Sequence, residues 1–496
     1  MFLRRHLTLW TAVVTALSAC TSLPPQTPAT LSQAVKQSQN DWYQQGQALL
    51  RTKQQQKAIT TPARNVILFI ADGHGITSNT ALRILDGQRQ GNNGEEHVLS
   101  YEHFPHLALS KTYSTDAQTP DSAGTATAML TGVKTRAGVL SVDDSLKRGD
   151  CSAIKQASLT TAIELAEEIG MATGIVSTAR ITHATPAAGY AHSADRNMEG
   201  DADLTPGQQQ AGCRDIASQL VAFSHGNGIE VLMGGGRKNF LPHNVMDAEG
   251  QPGRREDNRH LINEWLTKYP DGHYAQTNDE LLEVGPDGKL LALFSASHMA
   301  YEADRASDVG GEPSLAQMTA MAIERLQRQG KGFFLLVEAG RVDHGHHAGN
   351  AYRALEDGRA YAAAVAKAAA MTDEQDTLII ATADHSHTLT MAGYSERGNP
   401  ILGLAASRSA QGHPYTTLSY ANGPGAGSDR EHLDHDSVGH RDFKQPALVP
   451  LASETHGGED VAIYARGPGA WLFSGTVEQN YIFHVMHHAA QLQRHR

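Results

Sequence analysis

The sequence predicts an α/β protein: a central, mainly parallel sheet with helices on both faces. Three observations predict it. Short apolar runs alternate with helical patterns along most of the chain, as strands joined by crossover helices must. Several of these runs are continuous rather than alternating, as in strands buried on both faces. Acidic residues and histidines stand directly after three of the runs, at the carboxyl ends where open α/β sheets bind ligands.

At 496 residues and 40% apolar, the chain suffices for one large decorated α/β domain or for two. Its 41 basic and 53 acidic residues give a formal charge of −12, which excludes a nucleic-acid partner, since phosphate neutralisation needs a basic face. Residues 1–19 read as a secretory signal: Arg4, Arg5 and His6 precede an apolar stretch, 7–19, too short to span a bilayer as a permanent helix. Leu17-Ser18-Ala19-Cys20 resembles the lipobox of bacterial lipoproteins, which makes Cys20 the expected lipidation site, an incidental cysteine being the alternative. Arg4-Arg5 also fits twin-arginine export. Cys151 and Cys213 then remain as an even pair in an exported chain and are expected to form one disulfide rather than two free thiols.

Residues 20–40 are rich in Ser, Thr, Pro and Gln, as a tether from a lipid anchor would be. From Asp41 to about Lys57 the chain turns helical, and Trp42 and Tyr43 at its start suit packing on its own body or on a second subunit. The run 65–71 is a strand that ends in Asp72-Gly73-His74-Gly75, where the glycines permit a sharp turn above the sheet. In 119–128, Pro120 and Asp121 precede small residues suited to a tightly packed helix. Ser122 then sits at the first turn, where free N–H groups and the helix dipole favour an anion and an ionised nucleophile. An ordinary serine cap would leave the same signature.

The alternation continues with a capped helix between 158 and 169 and a strand at 174–178. A strand at 230–233 precedes Gly234-Gly235-Gly236, which is read as a turn because it lacks a dinucleotide fingerprint. A helix over 314–329, a strand at 331–337, an Ala-rich helix over 351–371 and a strand at 376–382 follow. After the strand at 331–337 come Glu338, Asp343, His344, His346 and His347, two carboxylates and three imidazoles that suit zinc with a neighbouring magnesium. After the strand at 376–382 come Asp384, His385 and His387. Residues 395–453 break into Gly, Pro, Ser and His and read as an exposed insertion with short strands. Glu454-Thr455-His456-Gly457-Gly458-Glu459-Asp460 then leads into a strand at 461–465, and a helix over 479–491 closes the chain. Ligand candidates at successive strand ends argue for a built metal centre rather than a scavenging surface. Ser122 has no evident His-Asp triad, so a metal is the expected means of lowering its pKa.

These stretches, 121–127, 337–347, 382–387 and 454–460, resemble the alkaline phosphatase family, in order, from about residue 41 to the carboxyl terminus, and most nearly its animal-type branch. The resemblance implies one domain over 41–496 with a crown-like insertion at about 395–453. It implies that Ser122 forms a phosphoseryl intermediate in the hydrolysis of small phosphate monoesters. Asp343, His347 and His456 match ligands of a first zinc, and Asp72, Asp384 and His385 those of a second. Asp72, Glu338 and Thr185 match a magnesium set, with His183 acting through water. Arg196 matches the arginine that grips the phosphoryl oxygens as a fork, and His387 stands behind the ligands. The implied complement is two zinc ions and one magnesium per subunit. Cys151 and Cys213 fall at the spacing of a family disulfide, and the helix after Asp41 would embrace a second copy in a homodimer. Where animal-type enzymes build a calcium site partly from a Phe-Glu pair, this chain has Phe294-Ser295; Glu312 offers a replacement for another ligand, but no calcium site is expected. The rivals are a phosphodiesterase, phosphonate hydrolase or sulfatase of the same superfamily, disfavoured by Asp121-Ser122-Ala123, and a non-catalytic metal- or phosphate-binding lipoprotein, which would need neither Ser122 nor Arg196.

Overall fold

The computed structural model describes residues 36–427 and 432–493. The signal segment, Cys20 and most of the tether lie outside the described residues. The chain divides into two compact units, 1–57 and 58–496. Within the first, a helix runs over Asp41–Gln55, its N-terminus capped by Asn40, whose side chain accepts from the Trp42 amide at 2.9 Å. It buries none of its residues, and Trp42, Leu49 and Leu50 are exposed.

The second unit carries the sheet and the site. Its strands are β1 (Asn65–Ala71), β2 (His106–Lys111), β3 (Ala172–Arg180), β4 (Val231–Gly235), β5 (His273–Ala275), β6 (Leu290–Leu293), β7 (Phe333–Ala339), β8 (Thr377–Ala383), β9 (Ser386–His387), β10 (Leu389–Met391), β11 (Leu404–Arg408), β12 (Pro414–Thr416), β13 (Leu418–Gly423), β14 (Ala447–Pro450), β15 (His456–Gly457), β16 (Val461–Arg466) and β17 (Thr476–Glu478). Ten of them form one sheet in the order β17-β2-β16-β8-β1-β7-β3-β4-β6-β5. Pairing is parallel from β8 to β5, and β16 runs antiparallel to both β8 and β2. The sheet is thus mainly parallel, as expected, with one antiparallel strand, β16, that the sequence pattern does not show.

The continuous apolar runs are buried on both faces. Along β1, Val66, Leu68 and Ile70 enter one core and Ile67, Phe69 and Ala71 the other. β7 divides in the same way, with Phe334 and Leu336 in the first core and Phe333, Leu335 and Val337 in the second. Each such side chain contributes about 1.5–3 kcal/mol by leaving water. The helices Leu315–Arg328 and Ala351–Met371 cover one face; Ser122–Thr131, Ala162–Glu168 and Tyr481–Ala490 supply the other.

The insertion does contain short strands. β10, β13 and β14 form a three-stranded sheet, and β11 pairs with β12. Cys151 and Cys213 are joined in a disulfide, their Cα atoms 5.3 Å apart, within a small apolar cluster with Val139, Val142 and Met198. Among the described residues, no helix is long and apolar enough to cross a membrane.

Candidate metal centre

Parallel register brings the strand ends together. Ala71 at the end of β1 pairs with Ala339 of β7 and Ala383 of β8, so Asp72 and Asp384 leave neighbouring strands at one level. β7 carries Glu338 within the strand and is followed by the helix Arg341–His347, which presents Asp343 and His347 one turn apart on one face. β9 and β15 pair antiparallel with His387 opposite His456, which brings residues 69 positions apart into the same site. The helix Ser122–Thr131 begins at Ser122, with Asp121 as its cap: Asp121 Oδ1 accepts from the Gly124 amide at 3.1 Å.

Three groups of side chains converge here, each with its ligand atoms within 4.8 Å of one another: Asp343, His347, His387 and His456; Asp72, Asp343 and His385; and Asp72, His183 and Glu338. Asp384 joins the second, its Oδ2 lying 3.3 Å from His385 Nε2. Thr185 joins the third through its side-chain contact with Glu338, and Glu338 Oε1 and His183 Nδ1 are buried without a hydrogen-bond partner among the described residues.

Backbone carbonyls select the tautomers. His347 Nδ1 donates to the Glu454 carbonyl at 2.6 Å and His456 Nδ1 to the Pro120 carbonyl at 2.8 Å. Both Nε2 atoms therefore carry bare lone pairs. These point at each other across 3.1 Å, with Asp343 Oδ1 3.3 and 3.4 Å away. His385 repeats the arrangement: Nδ1 donates to the Ser386 carbonyl at 3.2 Å, leaving Nε2 bare beside Asp72 and Asp384. Converging lone pairs and carboxylates repel unless a cation stands among them. The donor set, imidazole and carboxylate, suits zinc, and the oxygen-rich Asp72, Glu338 and Thr185 set suits magnesium.

The electrostatics point the same way. Burial, with Asp384, Asp343 and Glu338 close by, raises the Asp72 carboxyl well above its usual range. Burial likewise raises Asp384, and pushes Glu338 up to about 7 against the lowering bond from the Ser177 hydroxyl. Burial works against ionisation of Asp343 as well, but His347 and His387 hold it well below the carboxylate range. Burial lowers His385 and His347, which favours the neutral imidazole that a metal site needs.

His387 is different in kind. Its Nδ1 contacts Glu454 Oε2 at 2.5 Å and its Nε2 contacts Asp343 Oδ1 at 2.8 Å. Burial opposes its charge, yet the two carboxylates raise it to about 10. With both nitrogens engaged, it stands behind Asp343 instead of offering a lone pair.

A further trio, His183, His298 and His344, lies beside the magnesium-type set. Both nitrogens of His298 are occupied by Arg180, Nδ1 by its amide at 3.3 Å and Nε2 by its guanidinium. That trio turns no free His298 lone pair inward.

Ser122 Oγ lies 3.3 Å from Asp72 Oδ1 and 3.2 Å from His385 Nε2. Arg196 is held from two sides: Nη1 donates to Asp121 Oδ2 at 3.0 Å and Nη2 to His183 Nε2 at 3.2 Å. Every residue singled out from the sequence for this site is therefore in one cluster. The sequence reading assigned no role to Thr125, whose hydroxyl donates to Asp384 Oδ2 at 3.2 Å, or to Gln479, whose amide donates to the Asp384 carbonyl at 2.6 Å. Gln479 carries no signal in the sequence, being 95 residues from its partner. Glu312, weighed for a calcium site, is buried with Oε2 accepting from the Ala300 amide at 2.7 Å.

The alkaline phosphatase profile matches residues 63–492. Tissue-nonspecific alkaline phosphatase of Gallus gallus is 45% identical over 464 residues, covering 90% of this chain and 89% of that protein. The human tissue-nonspecific isozyme is 43% identical, covering 90% and 88%. An alkaline phosphatase of Gadus morhua is 43% identical over 470 residues, covering 92% and 97%. Among solved structures, alkaline phosphatase from Thermus thermophilus superposes with a TM-score of 0.64 at 24% identity over 89% of this chain and 94% of that one, a likeness of fold. Alkaline phosphatase from the Antarctic bacterium TAB5 gives 0.61 at 22% identity, covering 88% and 100%. With the profile spanning nearly all of the second unit and relatives above 40% identity over almost their whole length, the chain belongs to the alkaline phosphatase family, on its animal-type side.

Proposed function

We propose that this site hydrolyses phosphate monoesters to an alcohol and inorganic phosphate through a phosphoseryl intermediate on Ser122. The observation that carries this reading is the position of Ser122: first residue of a buried helix, at its dipole-positive end, with its Oγ against Asp72 and His385.

Asp343, His347 and His456 would hold one zinc, Asp72, Asp384 and His385 a second, and Asp72, Glu338 and Thr185 a magnesium. When bound, these ions supply Lewis-acid charge that lowers the pKa of a hydroxyl or water and stabilises oxygens in an in-line displacement. The chain's own groups then have defined tasks. Arg196, oriented by Asp121 and His183, presents its guanidinium to the equatorial phosphoryl oxygens. The positive dipole end of the helix Ser122–Thr131 favours the same negative charge. Ser122 Oγ, its proton transferred to solvent, adds to phosphorus while the P–O bond to the alcohol breaks, the alkoxide leaving with the electron pair and taking up a proton. Water then adds to phosphorus, the bond to Ser122 Oγ breaks, and phosphate departs as the serine is reprotonated. His183, its Nε2 taken by Arg196, groups with Asp72 and Glu338 and would act on that set through a water.

The test is Ser122→Ala. Hydrolysis of an aryl phosphate monoester should collapse while metal content stays at the wild-type level, and labelled phosphate trapped on the wild-type protein in acid should be missing from the variant. Unchanged turnover would sink the mechanism. Comparing the matching diester on the same preparation separates a monoesterase from a sister activity.

We also propose one catalytic domain over 41–496 including the insertion at about 395–453, export with removal of residues 1–19, and anchoring through lipid on Cys20, with residues 20–40 as tether. The motif at 17–20 supports the anchor, and the Cys151–Cys213 disulfide suits an oxidising compartment. Metabolic labelling with a fatty acid, lost in Cys20→Ser, tests it. A homodimer is supported by the exposed Trp42, Leu49 and Leu50 on the helix Asp41–Gln55, and sedimentation of a chain lacking residues 1–57 tests that role.

A further inference from the structure

Glu454 belongs to a stretch singled out in the sequence and is neither a candidate ligand nor a catalytic group. It is almost wholly buried, at 1% exposure. One carboxylate oxygen takes His387 Nδ1 at 2.5 Å; the other accepts from the Thr388 amide and hydroxyl, both at 2.7 Å. Its backbone is equally committed. The Glu454 carbonyl accepts from His347 Nδ1 at 2.6 Å, and the Glu454 amide donates to the His347 carbonyl at 2.9 Å. Two residues further on the chain supplies His456. A single residue thus touches His347 directly, reaches Asp343 through His387, and precedes His456.

The insertion locks this residue in place. Gly423, at the end of β13, has φ +132, and a Cβ there would come within 3.0 Å of Glu454 Cβ, so a glycine permits the approach. One residue before it, Asn422 exchanges two bonds with Thr455: its Nδ2 donates to Thr455 Oγ1 at 2.9 Å, and its Oδ1 accepts from the Thr455 amide at 3.0 Å.

We propose that Glu454 is the positioning residue of the first metal set, fixing the orientation of His347 and Asp343 and thereby the affinity of that one site for zinc, and that the insertion holds it there. The proposal rests on the reading of Asp343, His347 and His456 as ligands of one ion. Groups that hydrogen-bond a ligating imidazole or a ligating carboxylate, as the Glu454 carbonyl does His347 and its side chain does Asp343 through His387, set the orientation of the ligand, and loss of such a partner typically weakens metal binding about 10–100-fold.

The experiment uses the full chain loaded with zinc and dialysed against chelator buffers of graded free zinc, with zinc per chain counted by elemental analysis. Wild type, Glu454→Ala, Glu454→Gln and His347→Ala are compared. The expected result is one zinc equivalent released from Glu454→Ala at about 10–100-fold higher free zinc than from wild type, the other equivalent unmoved, a smaller shift for Glu454→Gln, and turnover of both variants restored by excess zinc. A folded Glu454→Ala that keeps wild-type zinc affinity, or one whose turnover excess zinc does not restore, overturns the proposal. If Glu454→Ala does not fold, the near-isosteric Glu454→Gln carries the same comparison. His347→Ala separates the two claims: if it retains as much zinc as wild type, the ligand assignment itself is wrong, whereas a loss there with no shift in the Glu454 variants removes only the role of Glu454.

Discussion

His347 Nε2 and His456 Nε2 face each other across 3.1 Å although neither carries a hydrogen, because each ring has already committed its Nδ1 hydrogen to a backbone carbonyl. Such an arrangement stores repulsion that a divalent cation converts to attraction. Chelation should therefore lower the melting temperature as well as abolish turnover. An ion held at about a thousandfold excess over its Kd stabilises by about 4 kcal/mol, so the drop should be plain in a thermal scan and should reverse with zinc and magnesium. An identical melt with and without chelator would contradict this assignment of tautomers.

The chelated protein should lose stability as pH rises above 6.5. Burial keeps His74 neutral down to about 4 and His344 down to about 3. Between those values and the unfolded pKa of 6.5 these two residues bind more protons in the unfolded chain, so their contribution to stability rises with pH, against the opposing pull of Glu338 and Glu312. Above 6.5 the sign reverses: His387, raised to about 10 by Asp343 and Glu454 in spite of burial, keeps its proton only in the folded state, and its contribution fades as pH climbs toward 10. Glu312, pushed up to about 8 mainly by burial, pulls in the same downward direction as pH rises from 4.5 to 8. Each pH unit over which one group differs in ionisation is worth about 1.4 kcal/mol. Melts in chelator at acid, near-neutral and alkaline pH check this, and stability still rising above pH 7 would refute it.

The sheet and the ligands were legible because both are written locally. Val66 to Ile70 are apolar and continuous since both faces of β1 are buried, and Asp72 follows within two residues. Ser122 was legible as a first-turn residue because Pro120 and Asp121 mark a helix start in any context. What the sequence hides is pairing at a distance. β2 pairs antiparallel with β16 and parallel with β17 through partners more than 300 residues apart, and no periodicity encodes which strand lies beside which. The tautomer of His456 depends on the carbonyl of Pro120, 336 residues away, and the role of His387 on Glu454, 67 away. The order of the ligands could be read from the chain, but the backbone groups that aim them could not.

Gly73→Ala should damage the centre from behind. Gly73 has φ +74, a region strained for any residue with a Cβ, and an added Cβ would sit 2.4 Å from the His387 ring. That ring is fixed between Asp343 and Glu454, so it has nowhere to move without disturbing a metal ligand. The combined strain should cost at least about 1–3 kcal/mol and lower zinc retention along with stability. A variant matching wild type in both melting and zinc content would show that the turn after β1 relaxes independently of the site.

Arg196→Ala should separate phosphate binding from metal binding. The guanidinium is wholly committed to the site: burial opposes its charge, but Asp121 above all, with Asp72 and Asp343 behind it, keeps it protonated. It touches no residue of either zinc set, its partners being Asp121 and His183. A charge-assisted hydrogen bond is worth about 1.5–3 kcal/mol, so losing the fork should weaken inhibition by inorganic phosphate by about 10–150-fold, raise KM for small monoesters in parallel, and leave zinc content intact. Lys at this position should recover charge without the fork and so restore only part of the affinity. Because Asp121 also caps the helix that starts at Ser122, Asp121→Asn keeps an acceptor for the Gly124 amide while weakening the hold on Arg196. Its phosphate inhibition constant should fall between those of wild type and Arg196→Ala. If Asp121→Asn instead abolished turnover and left phosphate affinity unchanged, Asp121 would act on the serine and not on the arginine, and the division of labour between the two would have to be reversed.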